Sequence, residues 1–366
     1  MVTLNELLAD TDTLLCCGAG GVGKTTAAAA LGVHAATELG RTVVVMTVDP
    51  ARRLADALGV TGIDDVPVNV DLGSIGGRGK GTLQAMMLDP EASWNRLIAN
   101  LAPDEKTAER LLRNQVYRAV TQQFVQSHDY LAMARLQELR ASGNHDLVIV
   151  DTPPSRHAVD FLDAPERMID FFDSRLLRWM TGAGRLGATN IAAVTFQKVA
   201  DRVLGGGFVS DVGEFFGLLQ QLSTGFVDAS RSVSETFVSA ATATVVVTTP
   251  ESGPVREAAA FADDLAHRDM TLDGLILNRA VPRELLEPDV VALAAHWRSA
   301  AVSEPMSVVH AAAAALHRRA SDADAGAMAT VGALSEAARW ACEVPRATGS
   351  IADIAGLRAF GEPWRD

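Results

Sequence analysis

What the chain lacks narrows its class before any motif is read. Only three of its 366 residues are cysteine, Cys16, Cys17 and Cys342, and no CxxC pair occurs. Three cysteines make no disulfide framework, and their spacing makes no zinc clamp. No apolar run approaches the roughly 18 residues that a membrane-spanning helix requires. The opening residues, MVTLNELLAD, carry acidic rather than basic charge and so do not read as a targeting leader. Basic residues are short too: 32 Lys and Arg stand against 45 Asp and Glu, a formal net charge of -13. Nucleic acid and anionic lipid both call for a basic surface, so neither is an expected partner. No heptad array or internal repeat is visible. The expectation is a cytoplasmic protein with no integral membrane segment.

What is present is a phosphate-cradling loop. Residues Gly18 to Thr26 read GAGGVGKTT, between the apolar run Thr13 to Cys17 and an Ala-rich helical stretch from about Lys24 through Leu31 to Ala36. Gly18, Gly20, Gly21 and Gly23 let the backbone turn tightly and, with Val22, aim successive N–H groups at phosphate oxygens beside a helix N-terminus. Lys24 brings a point charge to the β- and γ-phosphates, Thr25 offers a hydroxyl to magnesium, and Thr26 completes the loop. The expected ligands are therefore ATP or ADP with Mg2+. A second glycine-rich stretch, Gly76 to Gly81, has no Ser or Thr after Lys80 and opens no helix, so it reads as a solvated loop. Cys16 and Cys17 sit side by side on the strand and point to opposite faces. They read as small buried apolar residues or as a thiolate site for a soft metal or metalloid.

With 48% hydrophobic residues the chain can bury a large core. Apolar, β-branched runs alternate with helical spacing, which predicts an α/β fold with a mainly parallel P-loop NTPase sheet flanked by helices. Candidate strands are Leu14 to Cys17, Thr42 to Val48, Leu83 to Leu88, Leu147 to Val150, Thr244 to Thr248, Leu272 to Leu277 and a last one from Trp340 to Val344. Ala-rich segments around His310 to Ala320 and Ala327 to Ala341 read as helical. Two long helical stretches interrupt the alternation. The expected organisation is a P-loop ATPase domain from residues 1–90, 144–160 and 241–366, with an inserted helical subdomain from 91–143 and 161–240. In the second insertion Met168, Ile169, Phe172, Leu176, Trp179 and Met180 recur at helical intervals. Gly205, Gly206 and Gly207 then precede another such set, Phe208, Val212, Phe215, Phe216, Leu218 and Leu219. These faces suit ordinary packing, a dimer seam or an adaptable groove for an apolar client.

Two acidic motifs fit a triphosphate engine. The second strand runs into Thr47-Val48-Asp49-Pro50-Ala51, so Asp49 emerges at the sheet edge that carries the phosphate loop, where a carboxylate can orient attacking water. The fourth runs into Val150-Asp151-Thr152-Pro153-Pro154, which makes Asp151 the acidic member of the magnesium shell, through water. For each aspartate a helix cap or turn residue is the competing reading.

Taken together these motifs resemble the ArsA-type ATPases, the family of the arsenite-pump ATPase and of the ATPase that escorts tail-anchored membrane proteins. The likeness runs through GAGGVGKTT, VDPARRLADALG, MMLDPEASW, VDTPPSRHAVDFLDAPERM, TTPESGPVREA and LNRAVP. CCGAGGVGKTT and DTPPSR followed by DFLDAP are most similar to an actinobacterial branch of anion-transporting ATPases. The resemblance implies that Asp49 activates water, that Asn278 reads adenine and that the segment near Pro345 forms a second wall of the adenine pocket. It also implies a dimer. The family's loop begins GKGGVGKT, and that first lysine serves the partner's phosphates. Here the position is Ala19, which suggests either an impaired homodimer or a heterodimer with a paralogue that keeps the lysine. Arg53 and Arg156 replace smaller residues in the two switch segments, either to compensate or to hold surface carboxylates. The resemblance leaves three functions: a magnesium-dependent ATPase moving its helical subdomain, a weakly hydrolysing regulatory subunit, or an escort for apolar segments.

Overall fold

A computed structural model of the chain describes residues 2–49, 53–73, 80–118, 128–154, 160–173, 208–280, 325–347, 351 and 353–364. Arg156, Leu176, Trp179, Met180, Gly76 to Gly79, Gly205 to Gly207 and the segment His310 to Ala320 lie outside them. The chain divides into two compact units: Met1–Met87, Asn144–Val159 and Ala240–Asp366 form one, and Leu88–Gly143 and Asp160–Ser239 the other.

The first unit is an α/β layer structure built on eight strands: β1 (Thr13–Gly18), β2 (Thr42–Thr47), β3 (Val68–Val70), β4 (Thr82–Met87), β5 (Leu147–Asp151), β6 (Thr242–Thr248), β7 (Gly274–Ala280) and β8 (Trp340–Pro345). Their order across the sheet is β3-β4-β2-β5-β1-β6-β7-β8. Every neighbouring pair is parallel except β3–β4. Parallel strands covered on both faces should be apolar throughout, and β1 and β5 are buried along their whole length. Helix α1 (Leu4–Ala9) is opened by a capping box, in which Thr3 and Glu6 satisfy each other's backbone N–H, and it turns Leu4, Leu7 and Leu8 into the core. Helix α2 (Lys24–Glu38) carries four consecutive buried alanines, Ala27 to Ala30, so it is covered on all sides, and its backbone comes close to the sheet at Gly32, where a Cβ would lie 2.7 Å from Val45 on β2.

Several elements differ from the sequence expectation. Strand β3 was not expected: three residues carry too little alternation to register, and its antiparallel pairing with β4 is fixed from outside the segment. Strand β7 starts at Gly274 rather than Leu272 and continues to Ala280, with a register shift between Asn278 and Ala280 where Arg279 takes φ 57°. The helical segment expected to reach Ala341 stops at Ala337, because Trp340 begins β8.

The second unit is helical among its described residues: α3 (Pro90–Leu101), α4 (Glu105–Arg113), α5 (His128–Ala141), α6 (Ala164–Asp173), α7 (Phe208–Gln221) and α8 (Ser223–Phe237). Asp89 and Asp104 cap α3 and α4 through their side chains, with Pro90 placed where its missing N–H costs nothing. Aromatic rings knit the core: Phe172 stacks on Phe226 at 4.9 Å, and Tyr130 lies 5.9 Å from the same ring. Phe171 remains 44% exposed beside them.

Candidate nucleotide site

Register explains how the site is assembled. Strand β5 lies between β1 and β2, and Asp151 is the partner of Cys16 on one side and of Thr47 on the other. Three strand ends thus reach the same level of the sheet, the level at which β1 turns into the glycine-rich loop. In an open parallel sheet this carboxyl edge is where ligands bind, at the point where successive connections run in opposite directions.

The loop is shaped by backbone demands. Gly18 has φ 148°, and a Cβ there would lie 2.1 Å from the Val247 carbonyl oxygen on β6, so no larger residue fits. Gly23 has φ 98° at the helix start, and a Cβ there would stand 2.4 Å from Asn278 Nδ2. Ala19 and Val22 are buried, and Lys24 is 8% exposed with its Nζ donating to the Ala19 carbonyl at 2.9 Å. The lysine is therefore held over the loop it serves.

Thr25, the second residue of α2, donates its hydroxyl proton to Asp151 Oδ2 at 2.6 Å. Thr47 Oγ1 donates to the same oxygen at 3.0 Å. Asp151 Oδ1 is buried with no hydrogen-bond partner. Burial pushes the Asp151 carboxyl up, more than the Thr25 and Thr47 donors and the Lys24 charge pull it down. An orphaned buried carboxylate oxygen costs stability unless something positive is brought to it. A hydroxyl that gives its proton to a carboxylate keeps its lone pairs for a cation. These residues therefore fit a hard, oxygen-seeking cation such as Mg2+.

Asp49 follows β2, with its side chain about one third exposed and Oδ2 3.5 Å from Arg53 Nη1. Arg53 opens a short helix, Arg53–Leu58. On the other side of β1, Asn278 at the end of β7 is buried and donates from Nδ2 to the Val22 carbonyl at 2.7 Å, while its Oδ1 accepts from the Arg279 N–H. Both ends of this amide brace the chain itself. Pro345 ends β8, opposite Ala280. The structure thus joins Thr25 to Asp151 directly, holds Lys24 on the loop through the Ala19 carbonyl, places Asn278 against the loop and leaves Asp49 paired with Arg53.

Thr47 and Thr152 were missed. Thr152 donates from Oγ1 and N to the Cys16 carbonyl, tying the exit of β5 to β1. Their only signal was position, one hydroxyl at the end of β2 and one just past the end of β5. The two adjacent cysteines are core residues. Cys16 donates weakly to the Lys24 carbonyl, and burial raises its thiol well above the usual range and that of Cys17 to about 12. Among the described residues no group of three or more His, Cys, Asp or Glu is arranged to hold a metal.

A mainly parallel sheet whose first strand runs through a glycine-rich loop into a helix beginning Lys-Thr, with a buried aspartate against that threonine, defines a P-loop nucleotide-binding protein. Residues 11–302 match the anion-transporting ATPases. The chain belongs to that family. It is 24% identical over 302 residues to the putative arsenical pump-driving ATPase 1 of Aquifex aeolicus, covering 78% of this chain and 67% of that one. It is 28% identical to the ATPase GET3 of Malassezia globosa over 42% of each chain. It is 36% identical to an uncharacterized protein of Streptomyces coelicolor over 43% of this chain and 37% of that protein. The matched segments thus span two thirds of the first relative and less than half of the other two. Among the described residues no helix is long and apolar enough to cross a membrane.

Proposed function

We propose that the protein is a cytoplasmic, magnesium-dependent ATP hydrolase that uses nucleotide turnover to move its helical unit within a dimer. The observation that carries this reading is the 2.6 Å contact between Thr25 and Asp151, with the second carboxylate oxygen buried and unpartnered. In the proposed mechanism the backbone N–H groups from Gly20 to Thr26 and the Lys24 ammonium bind the phosphate chain. Gly18 sets the close approach that orients them. Thr25 and Asp151 would hold Mg2+, which neutralises charge on the phosphates. Asp49 accepts a hydrogen bond from water and aims it in line with the bond to be broken. Asn278 and the segment ending at Pro345 take the adenine side, in keeping with their neighbouring strand ends.

Ala19 supplies no charge, so the partner is proposed to be a second copy or a paralogue that carries a lysine there. The relatives named as an arsenical pump-driving ATPase and as GET3 favour an energy-transducing role over a metabolic ligase. An apolar client is the second reading, favoured by the exposure of Phe171 beside the aromatic core of the helical unit.

Magnesium-dependent ATP turnover by the purified protein, beside Lys24→Ala and Asp49→Asn, tests the mechanism. Lys24→Ala is expected to lose nucleotide binding, whereas Asp49→Asn binds and fails to turn over. Full turnover by Asp49→Asn would remove Asp49 from the mechanism.

A further inference from the structure

The Thr47 hydroxyl stands between the two aspartates. Its proton goes to Asp151 Oδ2 at 3.0 Å, and its oxygen accepts the backbone N–H of Asp49 at 3.3 Å. The adjacent Val48 N–H donates to the Asp151 carbonyl at 3.3 Å, so side chain and backbone both lash the start of this segment to the end of β5. Thr47 is 1% exposed, so water does not replace these bonds without rearrangement. One hydroxyl has one proton to give, and its orientation is set by the carboxylate that takes it. A shift of that carboxylate is therefore felt at the Asp49 amide.

We infer that Thr47 is a positioning residue that links the metal-side carboxylate of Asp151 to the backbone of Asp49, so that the water-orienting side chain is set by the state of Asp151. The inference rests on the mechanism proposed above. A valine at this position has the same shape and no hydroxyl. It leaves Asp151 with the Thr25 donor and strips the Asp49 amide of this acceptor, while the loop, Lys24 and Thr25 are untouched. Binding should survive and the chemical step should suffer, which is the pattern of an interaction needed only when water attacks.

The test compares Thr47→Val, Thr47→Ser and Asp49→Asn by kcat, KM, equilibrium affinity for magnesium and a fluorescent ATP analogue, and amide hydrogen exchange of the peptide containing Asp49 in the ligand-free protein. Thr47→Val should lower kcat by about 10- to 100-fold and leave affinity within about threefold. Its Asp49 amide should exchange about tenfold faster or more, and Thr47→Ser should restore both. Wild-type kcat in Thr47→Val, failure of serine to rescue, or unchanged exchange at the Asp49 amide would each overturn the link. Should Thr47→Val not fold, Thr47→Ala against Thr47→Ser makes the same comparison. Turnover by Asp49→Asn at the wild-type rate would instead overturn the underlying mechanism, whatever the Thr47 variants do.

Discussion

Asp151 concentrates the tension between stability and function. Its carboxyl is buried, holds its proton to higher pH than in the unfolded chain, and has one oxygen without a partner. Below the unfolded value both states are protonated, and the benefit of the buried neutral acid is fully present. As pH rises through the folded value the acid must ionise in a dry site, and that benefit is lost. Asp151→Asn removes the titration. In calorimetry of the nucleotide- and metal-free protein from about pH 4 to about pH 8, the melting-temperature difference between Asp151→Asn and wild type should grow in favour of the variant and then level off. A flat difference would mean that this carboxylate does not cost stability. Gly18 gives a prediction of the opposite kind, because its constraint is backbone rather than charge. Gly18→Ala should lose about 2 kcal/mol or more, read from denaturant midpoints, since the new methyl meets a carbonyl on β6.

Elements with strong local signals were the legible ones. The phosphate loop, its strand and its helix are contiguous in sequence, so spacing alone located Gly18 to Thr26. The end of β5 was legible as a strand end, because the apolar run Leu147 to Val150 stops at an aspartate followed two residues on by two prolines. Thr47 was not, since its partner Asp151 lies 104 positions away and no local pattern names it. Asn278 shows the same limit: its bond to the Val22 carbonyl spans 256 positions, and the family resemblance suggested a base contact without suggesting the brace. Strand β3 and helix α1 were too short for periodicity, although Thr3 and Glu6 spell a capping box. That box can be measured. Thr3→Ala should destabilise the first unit by about 1 kcal/mol without changing nucleotide affinity, and a change in affinity would show that α1 reaches the site through β1.

For the whole molecule, the sheet order places the phosphate loop at the centre, with β5 and β6 on either side of β1. The two units also divide the chain's cysteines and tyrosines between them. All three cysteines lie in the sheet unit, and both tyrosines, Tyr117 and Tyr130, lie in the helical one. Tyr130 is buried, and burial raises its phenol to about 12; Cys16 and Cys17 are buried directly under the loop. Alkylation of the paired thiols in a denaturant series therefore follows the opening of one unit, while amide exchange of the peptide containing Tyr130 follows the other. Magnesium and ATP should move the thiol transition to higher denaturant. An unmoved thiol transition would mean that nucleotide does not settle over β1, and the two readouts together separate the opening of one unit from that of the other.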